Sequence, residues 1–436
     1  MSEKFDAQLK ELLNAGVITP DIHRNIREYY ESKHPDKSGN RMLLTFGIIG
    51  AMLVGLGAIL IIAHNWDQLS RTVKVIIAFL PLVGCQAFCA YALFGRQRND
   101  YLSEVAAALL CFAIGTCIAL VSQVYNIEGN ITSFLFTWTV LYLPVIYVMR
   151  SAVASLFSLL LVTYYGVNES YFNYNYNFNW YFILLACVVP AYYLLIKKRP
   201  SSNFTIFHHW LIAISLTIML GSFGRSSEEW LFAGYMNLFT CFYLVGHLSF
   251  FMNQKRRSSG YLVIGSLGII ILLLVSSFEF LWKEIHDGLN SRGILSPEFI
   301  VSAFLFVAAI GLLFVLHRVE KDHTNRPLEY VFAAYFVLFF LSAAPVIPQI
   351  LINLLLLAIS VLVLRKGLRK DRLDILNYGL LILSTQILCR FFDTEMSFLL
   401  RGVLFIIVGA GFFFANYRML NRRKSRLIAV SKTPNP

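Results

Sequence analysis

Three short stretches carry the polar side chains that could form a binding site in this otherwise apolar chain: AHNWDQLS, SQVYN and TQILCRFFD. Their carboxylate, amide, phenol and guanidinium groups bind ligands through hydrogen bonds and charge. We predict that eight of these residues line one outward-facing polar pocket: Asn65, Asp67, Gln123, Tyr125, Asn126, Gln386, Arg390 and Asp393. The alternative is that each residue anchors its own segment at the membrane interface, or pairs locally as Arg390 could with Asp393 on one helix face.

Catalytic signatures are not found in the sequence. There is no glycine-rich phosphate loop, no HExxH and no GxSxG, and the histidines are scattered without a spacing that suggests a metal. We therefore predict no catalytic residue, no cofactor and no metal site.

Composition identifies the elements that must position the polar residues. The chain is 57% hydrophobic and only 14% charged, with a mean hydropathy of +0.64, which is typical of a membrane protein. Crossing a bilayer core of ~30 Å takes ~20 helical residues. Apolar runs of that length predict an all-α, polytopic transmembrane helical bundle of about fourteen helices over residues 43–416.

Basic residues indicate the orientation of these helices. Lys and Arg concentrate in cytoplasmic loops, and nearly all of the 37 fall in alternate loops when the amino terminus is placed inside. The exceptions are few: Arg71, Lys74, Arg225, Lys283, Arg292, Arg390 and Arg401. Both termini are thus predicted to be cytoplasmic. The net charge of +12 is explained by topology and by attraction of the basic tail, residues 417–436, to anionic lipid, so no nucleic-acid partner is expected.

Residues 1–38 are predicted to form a cytoplasmic amphipathic helical hairpin. Its connection, AGVITPD, supplies Gly16 as a helix stop, Thr19 as a cap and Pro20 as the first residue of a second helix. The two apolar stripes are too small for an independent core, so the hairpin should dock on the lipid bilayer, on another copy in a homo-oligomer or on a cytoplasmic partner. A charged start of about forty residues also predicts no cleavable signal peptide.

Small residues at fourfold spacing predict close helix packing. The first span carries Gly47, Ala51 and Gly55, and the third carries Ala107, Cys111, Gly115 and Ala119. Such seams let helix backbones approach each other. We predict that the first and third helices pack along them.

The stretch YFNYNYNFNWYF alternates rings with asparagines in a predicted outer loop. Its aromatic members are Tyr171, Tyr174, Tyr176, Phe178 and Trp180. Tyr and Trp favour the membrane interface. The loop either lies on the outer headgroups, provides a stacking platform for a sugar or another planar ligand, or is disordered.

The order LLNAGVITPD, AHNWD, GTCIALVSQVYNIEGN and FLFTWTVLYLP over the first third of the chain resembles the bacterial membrane-protein family called domain of unknown function 2157. The segment RFFDTEMSFLLRGVLFIIVGAGFFF is similar to the closing part of such proteins. The resemblance implies a multi-pass protein of the bacterial inner membrane, and it implies no catalytic residues.

The leading functional hypothesis is a transporter or flippase of an amphipathic envelope substrate. The main alternative is a non-catalytic membrane scaffold or envelope-stress sensor acting through residues 1–38. A third is an integral-membrane glycosyltransferase with Asp67 as general base, which the short outer loops disfavour. Deleting residues 1–38 separates the first two hypotheses, because a transporter should keep some activity and a scaffold should lose its partner.

Overall fold

The structure is a computed structural model, and it describes a large part of the chain. The described residues are 9, 11–13, 15–33, 66–95, 100–172, 179–224, 228–248, 251, 259–291, 296–319 and 326–393, with isolated positions between 399 and 417. The chain divides into two compact units, Met1–Phe79 and Leu80–Pro436. Within the described ranges every regular element is helical.

In the first unit, helix α1 spans Pro20–Lys33. The connection before it follows the predicted pattern: Gly16 has a left-handed φ of 67°, and the Thr19 hydroxyl accepts a hydrogen bond from the Ile22 amide at 3.4 Å. A 3₁₀ turn follows at Trp66–Gln68, and helix α2, Arg71–Phe94, begins in this unit and continues into the next. The Lys74 ammonium lies 5.5 Å from the centre of the Trp66 ring, which is a cation–π contact.

The second unit contains twelve further helices within the described residues. They are α3 Asp100–Tyr125, α4 Ile131–Met149, α5 Ala152–Val167, α6 Tyr181–Lys198, α7 Asn203–Gly221, α8 Glu229–Val245, α9 Gly260–Val275, α10 Glu279–Ser291, α11 Pro297–Val319, α12 Val331–Phe340, α13 Val346–Arg369 and α14 Leu373–Asp393. A π-helical turn, Asn168–Phe172, extends α5.

Membrane-spanning helices dominate the fold. Among the described residues, eight helices are long and apolar enough to cross a membrane, or nine when the bent pair α9 and α10 is one span. The prediction of an all-helical polytopic bundle is therefore confirmed. The predicted count of about fourteen includes the segments 261–282 and 329–344, neither of which is a single long straight helix in the described residues. The first is bent by 89°, and the second contains only the 10-residue α12, which is about half as long as a bilayer core is thick.

The small-residue seam of α3 packs against α4. The Ala107 carbonyl accepts the Tyr142 hydroxyl at 2.9 Å, and the Cys111 carbonyl accepts the Trp138 indole N–H at 2.9 Å. A Cβ on Gly115 would lie 2.6 Å from the Trp138 ring, so glycine is required there. The seam thus receives aromatic side chains that hydrogen-bond to its backbone. The seam predicted for the first span, Gly47, Ala51 and Gly55, lies outside the described residues.

Glu104 of α3 holds the amino terminus of α5. Its carboxylate accepts hydrogen bonds from the Ser151 hydroxyl and from the amides of Ala152 at 3.0 Å and Val153 at 2.9 Å. The first amides of a helix have no intrahelical partner and favour negative charge. The carboxylate therefore stabilises the start of α5 and ties it to α3.

Replacing Glu104 by alanine is expected to lower the free energy of unfolding by roughly 1–3 kcal/mol, because the α5 amides lose a charged acceptor. Thermal unfolding of the purified protein in detergent measures the change. Glu128, which is exposed beyond α3, supplies the matched control. Equal melting temperatures for E104A and E128A would contradict the capping role.

Glycines also set the distances between helices in the second half of the bundle. A Cβ on Gly265 of α9 would lie 2.5 Å from the Tyr243 amide nitrogen and 2.6 Å from the Phe239 carbonyl oxygen of α8. Helices α13 and α14, which form a hairpin, also approach each other closely. A Cβ on Gly367 would lie 2.6 Å from the Leu376 amide nitrogen, and one on Gly379 would lie 2.9 Å from that of Leu364. The two helices of this hairpin are therefore in near backbone contact at two levels.

Candidate functional site

The chain breaks its helical path between α9 and α10, at residues 276–278, and turns by 89°. Two consecutive serines follow the apolar α9. The Ser276 amide donates a hydrogen bond to the Leu272 carbonyl at 2.8 Å, and the Ser277 hydroxyl donates one to the Leu274 carbonyl at 2.6 Å. Glu279 then begins α10 with a negative charge in its first turn, where the helix dipole favours one. The Ser276 amide and the Ser277 hydroxyl thus satisfy two carbonyls in the last turn of α9.

The backbone groups freed by the break are bound by side chains from other elements. The Ser276 carbonyl accepts the Trp282 indole N–H at 2.7 Å, and the Ser277 carbonyl accepts the Asn353 amide at 3.1 Å. The Ser276 hydroxyl lies 3.1 Å from the Tyr335 hydroxyl of α12. Unpaired backbone groups in an apolar interior are costly, so these side chains stabilise the bend.

Asn353 of α13 and two residues of α14 complete the polar group. The Gln386 amide nitrogen donates to the Asn353 carbonyl at 2.8 Å, and the Arg390 guanidinium donates to the Ser277 hydroxyl at 3.2 Å. The Arg390 guanidinium also lies 4.9 Å from the centre of the Phe278 ring. We call Ser276, Ser277, Asn353, Gln386 and Arg390 the broken-helix cluster.

The broken-helix cluster has unused capacity for hydrogen bonding. The side-chain oxygen of Gln386 is buried, and within the described part of the chain no group donates a hydrogen bond to it. Buried polar atoms are nearly always satisfied by protein or by water. This oxygen can therefore accept a hydrogen bond from a ligand group such as a hydroxyl or an ammonium.

Two of the predicted pocket residues, Gln386 and Arg390, thus lie together in the broken-helix cluster. Gln123, Tyr125 and Asn126 are exposed at the end of α3, a helix that packs against α4 and α5. Three predicted members remain to be placed. Asp67 belongs to the first compact unit, Asn65 lies outside the described residues, and so does the side chain of Asp393. The single pocket of eight residues stays a prediction.

Sequence reasoning missed the uncharged members of the broken-helix cluster. A search for ionisable residues inside apolar segments passes over Ser276, Ser277 and Asn353. The available signals were the serine pair in the middle of a predicted span and a lone asparagine in the apolar run QILINLLL. Each marks a position where a buried side chain must find a polar partner.

The ends of the aromatic outer loop are described. The Tyr171 hydroxyl donates to the Ile218 carbonyl of α7 at 2.6 Å, and Trp180 is partly exposed with its ring 6.1 Å from that of Phe136. These contacts hold both ends of the loop on the bundle. Residues 173–178, including Tyr174, Tyr176 and Phe178, lie outside the described residues, so the role of this loop stays a prediction.

The fold and the broken-helix cluster define a polytopic helical membrane protein with a polar, discontinuous helix. Residues 10–155 match the model of the family described as "Predicted membrane protein (DUF2157)". This match confirms the resemblance seen in the first third of the chain and supports the membrane assignment. No curated protein and no solved structure matches the chain. The broken-helix cluster lies outside the matched segment. In the described residues no group of three or more His, Cys, Asp or Glu side chains could hold a metal ion.

Proposed function

We propose that this protein is a transporter or flippase of the bacterial inner membrane that moves an amphipathic envelope substrate without transforming it. The observation that carries the proposal is the 89° break between α9 and α10 at the broken-helix cluster. The family match supports the coarser statement that the chain is a membrane protein.

A broken helix is costly inside a membrane. Non-helical backbone at membrane depth is tolerated where it is buried in protein or lines a water-filled cavity. Discontinuous helices of this kind form the substrate and ion sites of many transporters, where freed backbone groups and polar side chains meet the cargo. The break here joins freed carbonyls, two amides and a guanidinium, which suits the recognition of a polar headgroup.

The chemistry of the cluster indicates how a headgroup would bind. The oxygen of Gln386 accepts a hydrogen bond from a hydroxyl or ammonium, and Arg390 attracts a phosphate or carboxylate. The apolar part of the substrate would remain among lipid tails along the exposed apolar surface of α13, which includes Ile350, Leu354 and Leu357. An amphipathic molecule can thereby cross with its headgroup shielded and its tails in lipid.

Residues 1–38 have a separate role in this proposal. Their amphipathic helices dock on the membrane surface, on a second copy or on a cytoplasmic partner. Transport itself should persist when they are deleted.

A lipid-transfer assay tests the proposed function. Purified protein is reconstituted into liposomes containing fluorescent phosphatidylglycerol, phosphatidylethanolamine or polyprenyl phosphate, and a membrane-impermeant quencher reports how much probe reaches the outer leaflet. We expect faster exposure of at least one probe than in protein-free liposomes and in liposomes with heat-unfolded protein. Rates equal to these controls for all three probes would contradict the proposal.

A further inference from the structure

A second group of polar residues lies where α11 ends and α12 begins. It joins the last turn of α11 to the start of α12 and consists of His317, Arg326, Glu329 and Tyr330, which we call the titratable cluster. The side chains of Arg326 and Glu329 are only 3% and 4% exposed. Fully buried charges are rare in proteins because they are costly to remove from water.

The ion pair between these two residues is loose. Arg326 Nη1 and Glu329 Oε2 are 3.9 Å apart, which is too long for a hydrogen bond. Both atoms are buried, and within the described residues neither has a hydrogen-bond partner. A buried carboxylate held by so long a contact recovers little of its lost hydration. Binding a proton would remove that cost for Glu329.

His317 provides a route for the proton from water. Its ring Nδ1 lies 2.8 Å from the Leu313 carbonyl, so in the neutral ring Nδ1 carries the hydrogen and Nε2 is the acceptor. Nε2 is 3.0 Å from the Tyr330 hydroxyl and 3.9 Å from Glu329 Oε1. The His317 side chain is 29% exposed, whereas that of Glu329 is buried. The histidine thus connects solvent with the buried carboxylate.

We propose that His317 and Glu329 form a proton-binding pair, in which Glu329 holds the proton and His317 delivers it. The imidazole takes a proton from hydronium at Nε2. Transfer to Glu329 breaks that N–H bond and forms an O–H bond, leaving a neutral ring and a neutral carboxyl group. Because 3.9 Å is too far for direct transfer, the carboxyl rotates or the Tyr330 hydroxyl relays the proton.

Other titratable groups lie on the elements near the pair, within the described residues. Arg318 follows His317 on α11, with its guanidinium 4.4 Å from the centre of the Phe314 ring. Tyr243 lies on α8 and His247 lies two residues beyond its end, with their ring centres 4.3 Å apart and the ring planes tilted by 54°. Tyr378 on α14 donates to the Ser266 carbonyl at 3.2 Å. Desolvation and the Glu329 carboxylate raise the pKa of Tyr330, so its hydroxyl stays protonated and available as a relay.

The pair binds a proton whether or not the protein is a transporter. Its role in coupling proton binding to transport, in contrast, rests on the proposed function. A proton that neutralises Glu329 weakens its attraction to Arg326 and loosens the connection between α11 and α12. The charge distribution of the loops predicts that this end of the bundle is cytoplasmic. A proton bound there would be exchanged with the cytoplasm.

Infrared difference spectroscopy tests the proton site directly. The full-length protein in lipid nanodiscs is taken from alkaline to acidic pH, and the carbonyl stretch of a protonated carboxyl group is recorded. Because exposed carboxyl groups among the 25 Asp and Glu residues also bind protons at acidic pH, the spectra of the variants are compared. We expect one component of the wild-type band to be missing in E329Q and kept in E298Q, a control that changes another buried carboxylate at the other end of α11. After a rapid pH jump, H317N should form the band about 10²-fold more slowly, as expected when a proton donor is removed.

The outcomes separate this inference from the proposed function. A carboxyl spectrum of E329Q that matches the wild type in full overturns the proton site. Elution as a single folded species on size exclusion shows that E329Q keeps its structure, and H317N gives an independent readout if it does not. A band lost in E329Q together with a negative lipid-transfer assay would leave the proton site standing and remove the transport activity.

Discussion

Replacing Asn353 by alanine is expected to slow lipid transfer by at least about tenfold. The side-chain amide of Asn353 donates to the Ser277 carbonyl at the break, and the backbone carbonyl of Asn353 accepts a hydrogen bond from the Gln386 side-chain amide. Loss of the side chain leaves the Ser277 carbonyl buried without its donor, which costs roughly 1–3 kcal/mol. A cost of 1.4 kcal/mol already corresponds to a factor of ten. The initial rate in the liposome assay measures the effect.

Asn237 provides a closely matched control for this variant. Its amide donates to the Ser302 carbonyl between α8 and α11 at 3.1 Å, the same distance as that from Asn353 to Ser277. N237A should therefore lose comparable stability without losing transfer. If N237A and N353A slow transfer equally at matched melting temperatures, the broken-helix cluster has no special role in transport.

Replacing Gly265 by alanine is expected to give a large loss of stability. The new Cβ would lie 2.5 Å and 2.6 Å from backbone atoms of α8, which cannot rotate away as a side chain can. Helices α8 and α9 must move apart, and overpacking of this kind costs roughly 1–3 kcal/mol. The melting temperature in detergent and the yield of folded protein measure the change.

Gly311 of α11 is the control, because no atom lies within 4 Å of the Cβ that alanine would place there. Alanine is favoured over glycine in a helix by about 1 kcal/mol. G311A should therefore match or exceed the wild type in melting temperature. A G265A protein as stable as G311A would show that the α8–α9 contact is looser than described.

Hydropathy predicted the helices well, because membrane burial requires a continuous apolar run. The predicted segments 131–148 and 347–364 correspond closely to α4 and α13. Hydropathy is averaged over a window of residues, and this averaging hid the bend after α9. Two serines barely lower the mean hydropathy of a window of ~20 residues, although the helix ends at them. The break depends on hydrogen bonds to Trp282 and Asn353, which no local average contains.

The broken-helix cluster was predictable only in part. Gln386 and Arg390 stood out because amides and charges are conspicuous in an apolar helix. Their partner Ser277 is 113 positions from Arg390 in the chain, and Asn353 is 33 from Gln386. Which helices become neighbours is decided by side-chain shape and glycine contacts. Periodicity within one helix specifies its apolar face and does not identify the helix that packs against it.

The close packing of α13 and α14 has a consequence for how the two ends of the bundle influence each other. Near backbone contact at Gly367 and Gly379 means that α13 and α14 move as one rigid pair. This pair carries Asn353, Gln386 and Arg390 toward one end. Tyr378 lies toward the other end, about 12 Å from Gln386 along the axis of α14. A headgroup bound at the broken-helix cluster would thus act on both helices at once. Any coupling between headgroup binding and proton binding would, by thermodynamic linkage, change both affinities by the same factor.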